Sequence, residues 1–437
     1  MPMGRFLIGV ALVATLLVGI VTDRVWAQRD VDIVRPLDGS VVRETVKVLV
    51  PVDSVPEDGF ITCSVDGKFQ CATAAKSEDG QYFIFNWNTK EGNPDQKIPP
   101  AQDGRHTITV QAYDAAGRKS GNPKEIVVSV ANNAAKFMPS EGLKLRYNQR
   151  VAHACKYEFK YVLNMKSAQG STSVASTVGQ AVEGASGVVK RSIEDVMSSG
   201  TVLVRQKLDG VLQTYQQGQA VPMVGLTTRA LYDVEDAMGR VTYVMRSSSP
   251  GVAIGVNLPN LPAQRVHIGD VWYQKDLIFR DVMTGAGVEA NTVNTLEALE
   301  WEGGQPCAKI KSTFSGSMRI PFSKVFVEPV EVVSGETTTY FGFQVGEVVS
   351  SVTKAVIRAR VSPSVISNLT QGLVNPGIAS TPMPVPTYAM PQPDSISGAM
   401  EYPSAGMWSA APSTGVASTN EPVDVEMEIV QTLALTQ

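Results

Sequence analysis

Along most of this chain apolar side chains recur at every second position, the repeat of a pleated strand with one face buried. In Asp103–Asp114, Thr107, Thr109 and Gln111 fall on one face, and Ile108, Val110 and Ala112 on the other. Val46–Val52 and the aromatic run Tyr82–Trp87 read as further strands. Phe60–Cys71 reads as a hairpin centred on Asp66-Gly67, a pair suited to a tight turn. With a three-residue loop that hairpin sets Cys63 opposite Cys71. Short strands and frequent turn signals over residues 30–132 predict a β-sandwich.

Beyond Asn132-Asn133-Ala134-Ala135, read as part of a linker over 133–142, the two-residue repeat resumes. Cys155–Met165 sets Tyr157, Phe159 and Tyr161 against Glu158 and Lys160. Strands are expected over 201–208, 230–232, 241–245, 295–299, 308–314, 337–343 and 348–361, divided by Asp209-Gly210, Met238-Gly239 and Gly303-Gly304. Together they predict a larger antiparallel β-rich domain over 143–361, and no stretch offers three turns of helix. Residues 362–422 break the pattern. They hold ten of the chain's 26 prolines and no Lys or Arg. Such a stretch lacks the apolar area to offset its ordering entropy, so a disordered or extended insertion is expected. From Val423 alternation returns through Val430, which predicts a last strand pairing back into the second domain.

Composition narrows the picture. A chain of 437 residues exceeds one hydrophobic core, and 18% charged residues is low for a soluble helical protein. The formal net charge of −4 offers no general attraction for nucleic acid. At the N-terminus Arg5 precedes the uninterrupted apolar run Phe6–Val21, and Val25-Trp26-Ala27 leads to Gln28. A basic start, an apolar centre and small residues before a cut are the layout of a secretory signal peptide over 1–27. The rival, an uncleaved anchor, needs about 20 apolar residues to span a bilayer. Export to the periplasm, cell surface or extracellular space is therefore expected. An oxidising compartment favours two disulfides, Cys63–Cys71 and Cys155–Cys307. A zinc site is not expected, because close Cys-x-x-Cys and His spacing is missing.

Within the first domain, Val65-Asp66-Gly67, Phe85–Thr89, Asp103–Thr107 and Ala112–Gly117 resemble the bacterial Ig-like domains of exported and cell-surface proteins. The resemblance implies a spacer or adhesive module and brings no catalytic residue. In the second domain Val266–Tyr273, the hairpin ending at Phe314 and Tyr340–Ser351 resemble bacterial exported proteins of unknown function. Those proteins have a curved antiparallel sheet similar in outline to the periplasmic lipoprotein-carrier fold. That likeness implies a concave face able to hold an apolar ligand. Tyr157, Phe159 and Tyr161, on one strand face by alternation, read first as core packing and in the alternative as the candidate residues of such a face.

Chemistry is sparse. The three histidines, His106, His153 and His267, sit in no catalytic motif and read as solvent-edge or hydrogen-bonded side chains. Asp233, Glu235 and Asp236 fall short of a calcium-loop pattern and read as a solvated hairpin end. Glu300, Trp301 and Glu302 read as a strand end. The expectation is a non-catalytic, cofactor-free envelope protein with a binding or structural role. Its partner would be an envelope protein, a polysaccharide or a lipid. The alternatives are a periplasmic carrier of an apolar ligand and a hydrolase with a dispersed site.

Overall fold

The computed structural model describes residues 30–169, 183–216, 219–245, 252–280, 287–318, 330–361 and 423–436. The expected signal peptide and the Pro-rich insertion lie outside them. Among the described residues there is no α-helix, and the class is all-β, as the two-residue repeat requires. No helix among them is long and apolar enough to cross a membrane. The chain divides into two compact units at Asn132/Asn133.

The first unit has seven strands: β1 (Val41–Val42), β2 (Thr45–Pro51), β3 (Phe60–Val65), β4 (Lys68–Thr73), β5 (Tyr82–Asn88), β6 (Gly104–Tyr113) and β7 (Lys119–Val130). Five of them form one sheet in the order β1-β7-β6-β3-β4, and β2 pairs with β5 in a second. One core joins the two sheets. Val46, Val48, Val50, Phe83, Phe85 and Trp87 meet Ile61, Ile108, Val110, Ala112, Ile126 and Val128. The faces of β6 are those its alternation predicts. The β3–β4 turn is shorter than expected: Val65 pairs directly with Lys68 across Asp66-Gly67. Both turn residues have positive φ, as a tight hairpin of this kind demands. A bulge at Cys63/Ser64 absorbs the extra residue and restores Cys63 opposite Cys71.

The second unit is built on β8 (Ala154–Gln169), β9 (Glu183–Val196), β10 (Val202–Leu208), β11 (Gln213–Gln216), β12 (Gln219–Pro222), β13 (Thr228–Arg229), β14 (Leu231–Glu235), β15 (Val241–Met245), β16 (Val252–Ala253), β17 (Val271–Arg280), β18 (Gly287–Glu302), β19 (Gln305–Met318), β20 (Val330–Gly342), β21 (Glu347–Val361) and β22 (Val423–Thr436). One sheet runs β15-β14-β10-β9-β8-β22-β21-β20-β19-β18-β17, with the hairpin β11–β12 attached to β9. Every pairing along that path is antiparallel. It comprises two meanders joined by the C-terminal strand, since β22 pairs with β8 on one side and β21 on the other.

One face of this curved sheet is filled. Tyr157, Val189, Leu208, Leu296, Leu299, Ala308, Ile310, Phe341 and Leu433 point inward from its strands. Against them pack two non-strand segments carrying Leu143, Leu145 and Tyr147, and Ile254, Val256, Leu261 and Val266. The expected linker is partly absorbed here. Ala134 is fully buried in this core, its N–H donates to Leu299 O, and Phe137 stands edge-on to Trp301. Small residues that read as a loop in sequence fit a slot beside β18. Phe314 lies over Gly335 on the neighbouring strand, where any Cβ would strike its ring.

Candidate functional site

The inward positions of seven adjacent strands fall in a row on a single register, five of them polar and flanked by Trp272 and Tyr161. Trp272 pairs with Asn294, Asn294 with Ser312, Ser312 with Thr337, Thr337 with Thr353, Thr353 with Gln431 and Gln431 with Tyr161. Inward positions of a closed β core are normally apolar, because a buried hydroxyl or amide must find a partner to offset its lost hydration. Here the partners come from within the row and beside it. The Thr337 and Thr353 hydroxyls lie 2.9 Å apart, and Thr339 and Ser351 lie 3.1 Å apart. Asn294 donates to Thr292 Oγ1 at 2.9 Å, and Thr292 donates to the buried Asp276 carboxylate.

Over this row lies the segment 254–261, pinned by polar contacts. Val256 N–H donates to Gln206 Oε1 at 2.8 Å, Asn260 N–H donates to Asp276, and the Tyr147 hydroxyl donates to Pro259 O at 2.7 Å. Between segment and row remains a cavity of about 50 Å³, lined by Asp276, Thr292, Ser312, Thr353, Gln431 and Asn257 among others. Two buried polar atoms in this region have no partner: Asn257 Oδ1 in the cavity wall and Trp272 Nε1 at the end of the row. Unpaired buried polar atoms are uncommon, and each calls for a water or ligand atom.

Nearer the other end of the same face is a charged cluster. Glu347, at the start of β21, is 2% exposed. Its carboxylate accepts from the Tyr157 hydroxyl at 2.6 Å, lies 2.9 Å from His153 Nε2, and lies 3.7 Å from Cys155 Sγ. Tyr157 and Cys155 share an inward strand face with His153, just before them, because the three occupy alternate positions. Arg191, opposite Cys155 on β9, is 1% exposed and donates to Glu235 at 2.6 Å. Burial alone would favour the neutral guanidinium, but the Glu235 and Glu347 carboxylates outweigh it and raise its pKa. Burial, reinforced by the Glu347 charge, raises the Tyr157 hydroxyl and pushes the Cys155 thiol up to about 12.

Several sequence readings change at this site. Asp233 and Glu235 are not a solvated hairpin end. Both are buried, pointing inward from β14, with Asp233 accepting from Gln206 at 2.9 Å; only Asp236 serves the turn. Their outward-looking composition concealed the partners, Gln206 and Arg191, which come from strands remote in sequence. Tyr157, Phe159 and Tyr161 do share the inner face, but Tyr157 is fully buried and committed to Glu347. His106 bonds Asp66 and Gln102 O, and His267 is an exposed turn residue beside Asp270. Glu347 carried no sequence signal beyond following Gly346.

All four cysteines are thiols in this structure. Cys155 and Cys307 are not brought together: three strands separate β8 from β19, on the order of 19 Å of sheet at ~4.8 Å per strand. A disulfide spans Cα atoms at most about 7 Å apart. Cys307 moreover lies on the face opposite to Ala308 and Ile310, near Glu302 O and Gln305 O. Cys63 and Cys71 are direct cross-strand partners, within bridging geometry. Their mutual hydrogen bond, followed by burial, raises the Cys63 thiol, while the same bond lowers Cys71. Mild oxidation of the folded protein is therefore expected to close Cys63–Cys71 first and to leave Cys155 and Cys307 reduced. Peptide mapping by mass spectrometry checks this, and a Cys155–Cys307 product would contradict the register.

Comparison with family models, curated proteins and solved structures finds no match to this chain.

Proposed function

We propose that this chain is an exported, non-catalytic cell-envelope protein with a binding role, and that the polar row inside the larger sheet is where it binds. The observation that carries this reading is the inward polar register from Asn294 to Gln431, buried at Asn294 and Ser312 and half-buried at Thr337, Thr353 and Gln431, together with the unpartnered Asn257 Oδ1 and Trp272 Nε1. Apolar residues at those positions would add stability, so a polar interior is the kind of local cost that function retains. The chemistry favours a ligand presenting hydroxyl or amide groups to Ser, Thr, Asn and Gln, with Phe314, Leu258 and Leu433 against its apolar faces. The first unit is read as an Ig-like spacer or adhesive module, and export rests on the N-terminal apolar stretch.

The cavity's size constrains the ligand. About 50 Å³ accommodates ordered water or a group of a few atoms, whereas small-molecule pockets begin near ~300 Å³. An apolar carrier function would require segment 254–261 to lift away from the row. The test uses Thr337→Val and Thr353→Val together, which keep side-chain shape and remove two hydroxyls that bond each other. Removing both partners of a hydrogen bond is close to neutral for stability. With glycerol and monosaccharides as probes, saturable change in the Trp272 fluorescence is expected in the unaltered protein and not in the double variant. Trp272→Phe assigns the signal. Equal responses in both proteins, or none in either, would remove the binding site from the row. Hydrolytic turnover that disappears with His153→Ala would overturn the non-catalytic reading.

A further inference from the structure

From the side chains of His153, Cys155 and Glu347 we infer a binding site for a borderline transition-metal dication of the zinc type. Their ligand atoms all lie within 4.8 Å of one another, and Glu347 Oε1 is 2.9 Å from His153 Nε2 and Oε2 3.7 Å from Cys155 Sγ. Around tetrahedral zinc, with bonds of about 2.0–2.3 Å, neighbouring ligand atoms sit about 3.3–3.8 Å apart. The observed spacings bracket that range. Imidazole nitrogen, thiolate sulfur and carboxylate oxygen are the donor types that zinc takes, and three protein ligands leave the fourth position to water.

Charge supports the assignment. The cluster buries the carboxylates of Glu347 and Glu235 against one guanidinium, Arg191. Those three groups alone carry one negative charge in excess. A dication bound with loss of the Cys155 proton balances three negative groups against three positive charges. With a metal present, the 2.6 Å bond from the Tyr157 hydroxyl to Glu347 becomes the contact that orients a ligating carboxylate. The site goes beyond the ligand-binding reading above, because it uses a different set of side chains.

The experiment uses the full exported chain, purified without a polyhistidine tag, with Zn²⁺ and Co²⁺ as probes. One equivalent of Zn²⁺ is expected to compete with a chromophoric chelator. Co²⁺ is expected to give a thiolate-to-metal charge-transfer band in the near-ultraviolet, together with the visible bands of a four-coordinate ion. Cys155→Ser abolishes the charge-transfer band, and His153→Gln weakens Zn²⁺ binding by at least about 100-fold, at the upper end of what even an outer-shell partner costs. Circular dichroism confirms that each variant is folded. Cys63→Ser/Cys71→Ser and Cys307→Ser retain the band, and so does the Thr337→Val/Thr353→Val protein, which separates this site from the polar row. A band that survives Cys155→Ser, a band lost with Cys63 and Cys71, or no saturation at one equivalent would each overturn the inference.

Discussion

Removing residues 423–437 is expected to abolish cooperative folding of the second unit and leave the first unit's transition unchanged. Strand β22 comes last in chain order among the described strands, yet it lies in the middle of the sheet. It pairs with β21 from Val361 to Ser350 and with β8 from Gln169 to Lys156. Its inward Met427, Ile429 and Leu433 are buried. Without it, β8 and β21 become long unprotected edges, and among the described residues the two meanders share no sheet hydrogen bonds across the gap. Exposed edges of that length are templates for aggregation. The measurement is urea unfolding followed by circular dichroism and tryptophan fluorescence, together with sedimentation. A synthetic 423–437 peptide added in trans is expected to restore the lost transition. A shortened chain that unfolds with the original midpoint and slope would show that the two meanders hold each other by packing alone.

Arg191→Leu is expected to cost about 3–5 kcal/mol, the range for removing one member of a buried ion pair. The guanidinium is almost wholly enclosed, bonds Glu235 and lies about 6.0 Å over the Tyr147 ring. Its loss takes the Arg191 guanidinium away from the buried Glu235 carboxylate and withdraws compensation from Glu347. The penalty arises from the stranded charge and not from the value of the pair itself. The double variant Arg191→Leu/Glu235→Leu is accordingly expected to recover most of the loss. Chemical denaturation of the two singles and the double gives the coupling directly. Additive single effects would mean that the pair is solvated and that the cluster is not the closed unit described above.

How much of this was legible beforehand differs by level. The sequence marked Val241–Met245 with its correct bounds, placed β10 and β21 within one residue, and read the faces of β6 correctly. A buried face against a wet one leaves its mark on each residue separately. The return of β22 to the second unit was readable too, because strict alternation resumes at Val423. Strand β9 escaped, since Glu183–Val196 mixes Gly, Ser and charged residues whose inward members include Arg191. The buried charges escaped for the same reason: an acid that is paired and one that is solvated look identical until the partner is known.

By itself, then, the sequence determined an all-β chain with two apolar-cored regions, because strand periodicity is a local property carried by successive side chains. Only the tertiary structure decided that five polar positions fall on one register, that His153 and Cys155 meet Glu347, and that Asp233 and Glu235 turn inward. Those outcomes depend on which strands become neighbours and with what offset. That choice is made by the summed burial of the whole sheet, which no single segment encodes.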